Sequence, residues 1–201
     1  MRVLVVGNGG REHALAWSVS KSRAVEKVLC LPGNPGTERE SSIQNIAFPC
    51  GSASILDMVS VIADASPDLV IIGPEQPLVL GIAYQLRDLG VAVVGPGKKG
   101  AQMEGSKAFS KNLMAQAGVA TARSETVDNI NQAMEAISSF EEPPVIKADG
   151  LAAGKGVVMC DNLAAARNAS KEMLEQGHFG DAGREIVVEE MLIGQEASIL
   201  A

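Results

Sequence analysis

Pro144–Cys160 reads PVIKADGLAAGKGVVMC. An apolar run carrying Lys147 enters a Gly/Ala turn that holds Gly150, Gly154, Lys155 and Gly156, and a second apolar run follows. Two strands joined by a glycine-rich turn, with a lysine facing inward, make a flap suited to closing on polyphosphate. Backbone N–H groups point at the anion, glycines permit close approach and lysine supplies charge. A Walker A loop needs four residues between its glycines and Ser or Thr after its lysine. Here three residues separate Gly150 from Gly154, and Gly156 follows Lys155. The element after the loop also reads as a strand rather than a helix. An ordinary hairpin turn is the plainer alternative, since glycine-rich hairpins are common. Lys147 inside an apolar run argues against it, because buried lysine is rare without a partner.

Upstream of this flap the pattern changes. Residues 2–6 (RVLVV), 27–31 (KVLCL), 69–72 (LVII) and 91–94 (VAVV) are short apolar runs without alternation, as expected of strands covered on both faces. Ile55, Met58, Val59, Ile62 and Ala63 lie on one face of a helix. Residues 11–20 and 78–89 also read as helices. Strands alternating with helices predict a doubly wound parallel sheet. That first domain is expected to span 1–97, ending at Gly95-Pro96-Gly97. A linker and bridging helix follow over 98–120, with Ser106 as cap, Phe109, Leu113 and Ala117 on one face, and Gly118 as terminator. Over 121–191 the order becomes strand, helix (129–139), strand (145–148), strand (155–160), helix (163–175), strand (185–191). This is a small α+β unit containing the flap. Residues 196–201 begin one more strand, within a segment 192–201 that would open a further domain.

With 201 residues the chain holds one large domain or two small ones. Hydrophobic residues make up 46% and aromatics only 3%, so the cores are expected to be aliphatic. A net charge of −7 argues against a nucleic-acid surface. Cys30, Cys50 and Cys160 are odd in number, far apart and without C-x-x-C spacing, which reads as reduced, intracellular and free of structural zinc. No apolar run approaches a membrane span and no signal-peptide layout opens the chain, so a cytoplasmic protein is expected.

Three loops fall at strand ends. Gly7-Asn8-Gly9-Gly10-Arg11-Glu12-His13 follows the first strand and opens a helix, which makes an anion site of its N–H groups and dipole. A dinucleotide fingerprint fits poorly. Glu12 stands where the third glycine belongs, and Leu31-Pro32-Gly33 offers no acidic residue at the end of the second strand. Pro32-Gly33-Asn34-Pro35-Gly36-Thr37 and Gly73-Pro74-Glu75-Gln76-Pro77-Leu78 follow the second and third strands at the same sheet edge. Glu75 is suited to accept from vicinal ribose hydroxyls; ordinary Pro/Gly turns are the alternative. Lys98, Lys99 and Lys111 read as solvated. His13 and His178 lack metal-ligand company.

Taken together, MRVLVVGNGGREHALAW, PGNPGT, GPEQPL and KADGLAAGKGV, in unbroken order from Met1 onward, resemble the phosphoribosylamine–glycine ligase family of ATP-grasp enzymes. The resemblance implies a sugar-phosphate site built from Gly9, Gly10, Asn34, Gly36, Thr37 and Glu75. It places Lys107 and Lys147 on ATP phosphates as the catalytic pair, with Gly154, Lys155 and Gly156 in the flap. Glu189-Glu190-Met191-Leu192 resembles the family's hinge, where backbone groups of Glu189, Glu190 and Leu192 meet adenine and Glu196 meets the ATP ribose. The implied reaction joins glycine to 5-phosphoribosylamine through a glycyl phosphate, with ATP and Mg²⁺ (or Mn²⁺). The family's metal ligands are expected beyond Ala201, so none is expected here and the 201 residues alone are expected to be inactive. Small molecules are the expected partners, with no nucleic acid and no membrane; the oligomeric state is not readable. A non-catalytic sugar-phosphate or nucleotide-binding module, or another ATP-grasp ligase such as a biotin carboxylase relative, stay open as alternatives.

Overall fold

The computed structural model describes residues 1–49, 54–152, 156–176 and 180–199. The chain divides into two compact units, Met1–Gln102 and Met103–Ala201.

The first unit runs β1 (Arg2–Gly7), α1 (Gly10–Ser20), β2 (Lys27–Pro32), α2 (Pro35–Glu38), β3 (Ile43–Asn45), α3 (Ile55–Ala65), β4 (Leu69–Ile72), α4 (Glu75–Val79), α5 (Ile82–Asp88) and β5 (Ala92–Val94). All five strands are parallel, in the order β3-β2-β1-β4-β5. Successive side chains of a strand point to opposite faces. Leu4, Val6, Leu29, Leu31 and Val70 therefore join Ile62 of α3 and Leu86 of α5 in one core. Val5, Val28 and Cys30 join Ala16 of α1 on the other face. Helices on both faces explain the unbroken apolar runs of the central strands and bear out the doubly wound expectation.

The departures have physical causes. The short edge strand β3 was not anticipated, because only Ile43 of its three residues is apolar and buried. The helix expected over 78–89 is two helices, divided where Gly81 adopts φ +92°, a left-handed conformation that suits glycine. On α3 the buried stripe is centred on Val59 and Ile62, and Ala63 is exposed.

Helix α6 (Lys98–Gly105) spans the boundary between the units. The second unit continues with α7 (Lys107–Ala117), β6 (Ser124–Val127), α8 (Ile130–Ser138), β7 (Val145–Ala148), β8 (Val157–Val158), α9 (Leu163–Glu175) and β9 (Ile186–Glu189), with one 3-10 turn at Gly180–Gly183. Ser106 caps α7 through a bond from the Phe109 N–H, and Gly118 ends it at φ +67°. The sheet is antiparallel, in the order β6-β9-β7-β8. Ile146, Ala148, Ile186 and Val188 pack with Ala133, Ile137, Ala166 and Met173 of α8 and α9. The alternate positions, Lys147 and Glu189 among them, are left for the opposite face. The strands expected over 155–160 and 185–191 are shorter than predicted, and residues 196–199 form no strand. Among the described residues no helix is long and apolar enough to cross a membrane.

Candidate functional site

In the first unit the loops after β1 and β4 meet around one buried carboxylate. Gly9 is the N-cap of α1, and its N–H donates to Glu12 Oε2 at 2.8 Å, which is one half of a capping box, since glycine has no side chain to supply the other. Glu12 is only 5% exposed. It fills the gap between Gly7, which ends β1, and Gly73, which follows β4. A Cβ at either glycine would overlap the Glu12 side chain. This gap is the topological switch point of the sheet, where open α/β folds ordinarily take a ligand. Arg11 braces the arrangement. Its Nε donates to Glu12 Oε1 at 2.8 Å, and its two terminal nitrogens donate to Glu75 Oε1 at 2.9 Å and to the Gly73 carbonyl at 2.5 Å. Hydrogen bonds from Arg11 to Glu12 and then to Glu75 raise the guanidinium pKa further. Glu75's own backbone N–H, then Arg11, hold its carboxyl below the usual range.

Asn34 ties the second loop to the first. Its Oδ1 accepts from the N–H groups of Gly36 (2.7 Å) and Thr37 (3.0 Å), capping α2, while its Nδ2 donates to the carbonyls of Asn8 (3.0 Å) and Gly9 (3.3 Å). Thr37 is buried, and its hydroxyl lies 2.8 Å from both the Asn34 carbonyl and Asn45 Oδ1. Gly36 packs so closely on the His13 ring that a Cβ there would overlap it. A cleft of about 320 Å³ opens beside these loops, lined by Gly7, Asn8, Pro32, Phe48, Ser54 and Pro74 among others. Gly9, Gly10, Asn34, Gly36, Thr37 and Glu75 are not in that lining; their chain neighbours Asn8, Pro74 and Gln76 are. Of the residues that hold the loops together, sequence reasoning assigned no role to Arg11 or Asn45. It noted Glu12 only as a mismatch to a glycine motif, which was the available signal.

In the second unit the start of α7 is sutured to the end of β7. Asp149 Oδ1 accepts from the Ala108 N–H (2.7 Å) and from the Ser106 hydroxyl (3.1 Å). Lys107 Nζ donates to the carbonyls of Ala148 (2.7 Å), Gly150 (3.3 Å) and Asp149 (3.4 Å). Burial lowers the Lys107 pKa, Asp149 opposes this and neighbouring Lys147 adds to it. One turn along α7, Lys111 corrects an expectation: it is not solvated, its side chain being 13% exposed. Its Nζ donates to Glu189 Oε2 (2.8 Å), Thr121 Oγ1 (2.8 Å) and the Ala122 carbonyl (2.9 Å). Lys147 Nζ donates to the other oxygen, Glu189 Oε1, at 2.5 Å. Burial resists ionisation of Glu189, but the bonds from Lys111 and Lys147 outweigh it and hold its carboxyl below the usual range. The four-residue spacing of Lys107 and Lys111 on one helix is the signal in the sequence that could have shown a shared face.

Gly156 packs against β7, where its carbonyl accepts from the Ala148 N–H at 2.7 Å and a Cβ would overlap Ala152. Gly154 and Lys155 lie outside the described residues, as do Cys50 and His178. Glu190 donates its N–H to the Arg123 carbonyl (2.8 Å), and its carboxylate accepts from the Arg123 N–H (3.2 Å). Leu192, 70% exposed, and Glu196, also exposed, follow β9 in a stretch without regular structure. Among the described residues no three His, Cys, Asp or Glu side chains group to hold a metal ion.

Two family models cover the chain end to end. That of phosphoribosylglycinamide synthetase, N domain, matches residues 1–104, and that of the same enzyme's ATP-grasp (A) domain matches residues 105–201. The phosphoribosylamine–glycine ligase of Clostridium acetobutylicum is 41% identical over 201 residues, all of this chain and 47% of that protein. That of Salmonella typhimurium is 46% identical over 200 residues, covering 46% of its length. The chain thus spans about half the length of the curated relatives it matches. Among solved structures, phosphoribosylamine–glycine ligase from Thermotoga maritima superposes with a TM-score of 0.78 at 30% identity, over 97% of this chain and 45% of that one. An ADP complex of N5-carboxyaminoimidazole ribonucleotide synthetase, 22% identical with a TM-score of 0.69 over 95% of this chain and 47% of that one, shares the fold. With both family models matched in order, the chain belongs to the phosphoribosylglycinamide synthetase (phosphoribosylamine–glycine ligase) family.

Proposed function

We propose that this chain supplies the sugar-phosphate domain and the nucleotide flap of an ATP-dependent ligase that joins glycine to 5-phosphoribosylamine, a step of purine biosynthesis in the cytoplasm. Residues 1–97 take the sugar-phosphate, 98–120 bridge, 121–191 form the flap, and 192–201 open the remainder of the ATP-grasp fold. The observation that carries the reading is the pair Lys107 and Lys147, two ammonium groups from α7 and β7 in the unit that matches the ATP-grasp model.

The chemistry is mainly positioning and charge neutralisation. Lys107, held by three carbonyls at the end of β7, presents a fixed positive charge where the flap turn begins. Among the described residues Lys147 has a single partner, so its ammonium has donors left for a phosphate oxygen. With both in place, negative charge developing on the transferring phosphoryl group is neutralised, the glycine carboxylate takes the terminal phosphoryl group of ATP to become glycyl phosphate as ADP leaves, and the amine of phosphoribosylamine displaces phosphate from it. Shielding of the bound nucleotide excludes water, which would otherwise hydrolyse the acyl phosphate. Backbone groups at Glu190 and Leu192 face the adenine and Glu196 its ribose. For Mg²⁺ or Mn²⁺, the described residues offer no cluster of three His, Cys, Asp or Glu side chains.

The test is Lys147→Met in the full-length enzyme, assayed for ATP-dependent glycinamide ribonucleotide formation beside thermal unfolding. Methionine keeps the apolar stem and removes the charge. Turnover is expected to fall far more than stability. Unchanged turnover would refute the reading, and bicarbonate-dependent rather than glycine-dependent ATP consumption by the wild type would replace it with a carboxylase.

A further inference from the structure

The Glu189 carboxylate is claimed by two ammonium groups, one on each oxygen, and the two are not equivalent. Lys111 is fully engaged: its three donors meet Glu189 Oε2, Thr121 Oγ1 and the Ala122 carbonyl. Lys147 is bonded to Glu189 Oε1 alone among the described residues and is the more exposed of the two. The two lysines reach the carboxylate from different elements, Lys111 from α7 and Lys147 from β7. A ligand anion approaching this face therefore meets one lysine free to turn and one that is not.

We propose that Lys111 is a positioning residue for nucleotide binding: it keeps Glu189 neutralised, so that Lys147 is released to an incoming phosphate. The inference rests on the assignment of Lys147 to ATP. Its physical basis is the cost of an unpaired buried charge. Glu189 is shielded from water, and a buried carboxylate that loses all its partners is strongly disfavoured. Were Lys147 its only partner, each binding event would strip that carboxylate bare, and Lys147 would stay where it is. With Lys111 fixed on Oε2, the departure of Lys147 leaves one oxygen still paired. Lys111 touches no ligand in this scheme, and acts only through Glu189 and Lys147.

A merely structural Lys111 would staple α7 to the segment before β6, and its loss would cost stability without regard to Glu189. The two roles separate in a double-mutant cycle on the full-length enzyme, read as ATP affinity by competition with a fluorescent ATP analogue. Lys111→Met is expected to weaken ATP by about tenfold or more, since Lys147 then becomes the sole partner of a buried carboxylate. Lys111→Arg, which keeps the charge, is expected to stay near the wild type. In a Glu189→Gln background, Lys111→Met is expected to cost almost nothing, because no charge is left to neutralise. Wild-type affinity in Lys111→Met, or an equal loss in the Glu189→Gln background, would overturn the proposal. If Lys111→Met does not fold, competitive acetylation of the wild type decides. ATP should protect Lys147 and leave the reactivity of Lys111 unchanged; equal protection of both would place Lys111 on the ligand and overturn its positioning role. Lys147→Met, run in parallel, separates the two levels. If it too leaves ATP affinity unchanged, the assignment of Lys147 fails. If it weakens ATP while Lys111→Met does not, only the role of Lys111 fails.

Discussion

Glu12→Gln is a nearly isosteric change with a calculable cost. The carboxylate accepts two bonds of 2.8 Å, from the Gly9 N–H on Oε2 and from Arg11 Nε on Oε1, at a site only 5% exposed. Glutamine offers one oxygen and one NH₂ group, so one of these donors must face another donor. A hydrogen bond involving a charged group is worth about 1.5–3 kcal/mol. Arg11 is more than half exposed, so the loss sits at the lower end of that range if the amide turns towards Arg11, and at the upper end if it turns towards Gly9. For a unit of this size a urea slope of about 1.5 kcal/mol/M converts the loss to a fall of about 1–2 M in midpoint. Trp17 makes the measurement specific. It is the only tryptophan in the chain and sits on α1, the helix that Glu12 caps, with Lys21 Nζ 4.8 Å from its ring. Its fluorescence therefore reports unfolding of the first unit alone. Glu12→Ala removes both bonds and should roughly double the shift. A Glu12→Gln midpoint indistinguishable from the wild type would refute the account of Glu12 as the buried link between α1, β1 and β4.

Gly73→Ala should lower the same Trp17 midpoint, since its Cβ overlaps the Glu12 side chain; overpacking of this kind costs about 1–3 kcal/mol. Cys30 should resist iodoacetamide at pH 8 in the native protein and react once urea unfolds it, because burial pushes its thiol from 9.0 up to about 11. The sign follows for stability: between pH 9 and 11 the unfolded chain gives up a proton that the folded chain keeps, so the Trp17 midpoint should drop across that window and drop less in Cys30→Ala. Glu189 is the opposite case. Its carboxyl is depressed in the fold, so its contribution is present above the ordinary carboxylate range and is lost as pH falls through the folded value; the hydrogen-exchange protection factors of β9 amides should fall on acidification, and less so in Glu189→Gln.

What was legible in the sequence followed from local pattern. β1 and β2 announced themselves because central parallel strands are apolar on both faces. Ser106 marked a helix start that the structure reproduces as a side-chain cap. Edge strand β3, with a single buried apolar residue, carries no such signature, and Gly81 inside an otherwise helical pattern did not declare its positive φ. At the candidate site the limit was tertiary. Lys147 in an apolar strand demanded a partner, but nothing local names Glu189, 42 positions away, as that partner. Lys111 looked like any surface lysine until β9 and the segment before β6 closed around it.

The carboxylate lodged between Gly7 and Gly73 is a ligand tethered to its own receptor. An anion carried on the same helix is present at an effective concentration that no free metabolite matches, and dilution never removes it. The commonest binding crevice of this sheet is therefore closed by mass action rather than by shape. The space left open next to it is the cleft beside Phe48 and Ser54. It also follows that converting this domain to hold a dinucleotide would begin with a deletion: the side chain of Glu12 has to go before any new contact can form.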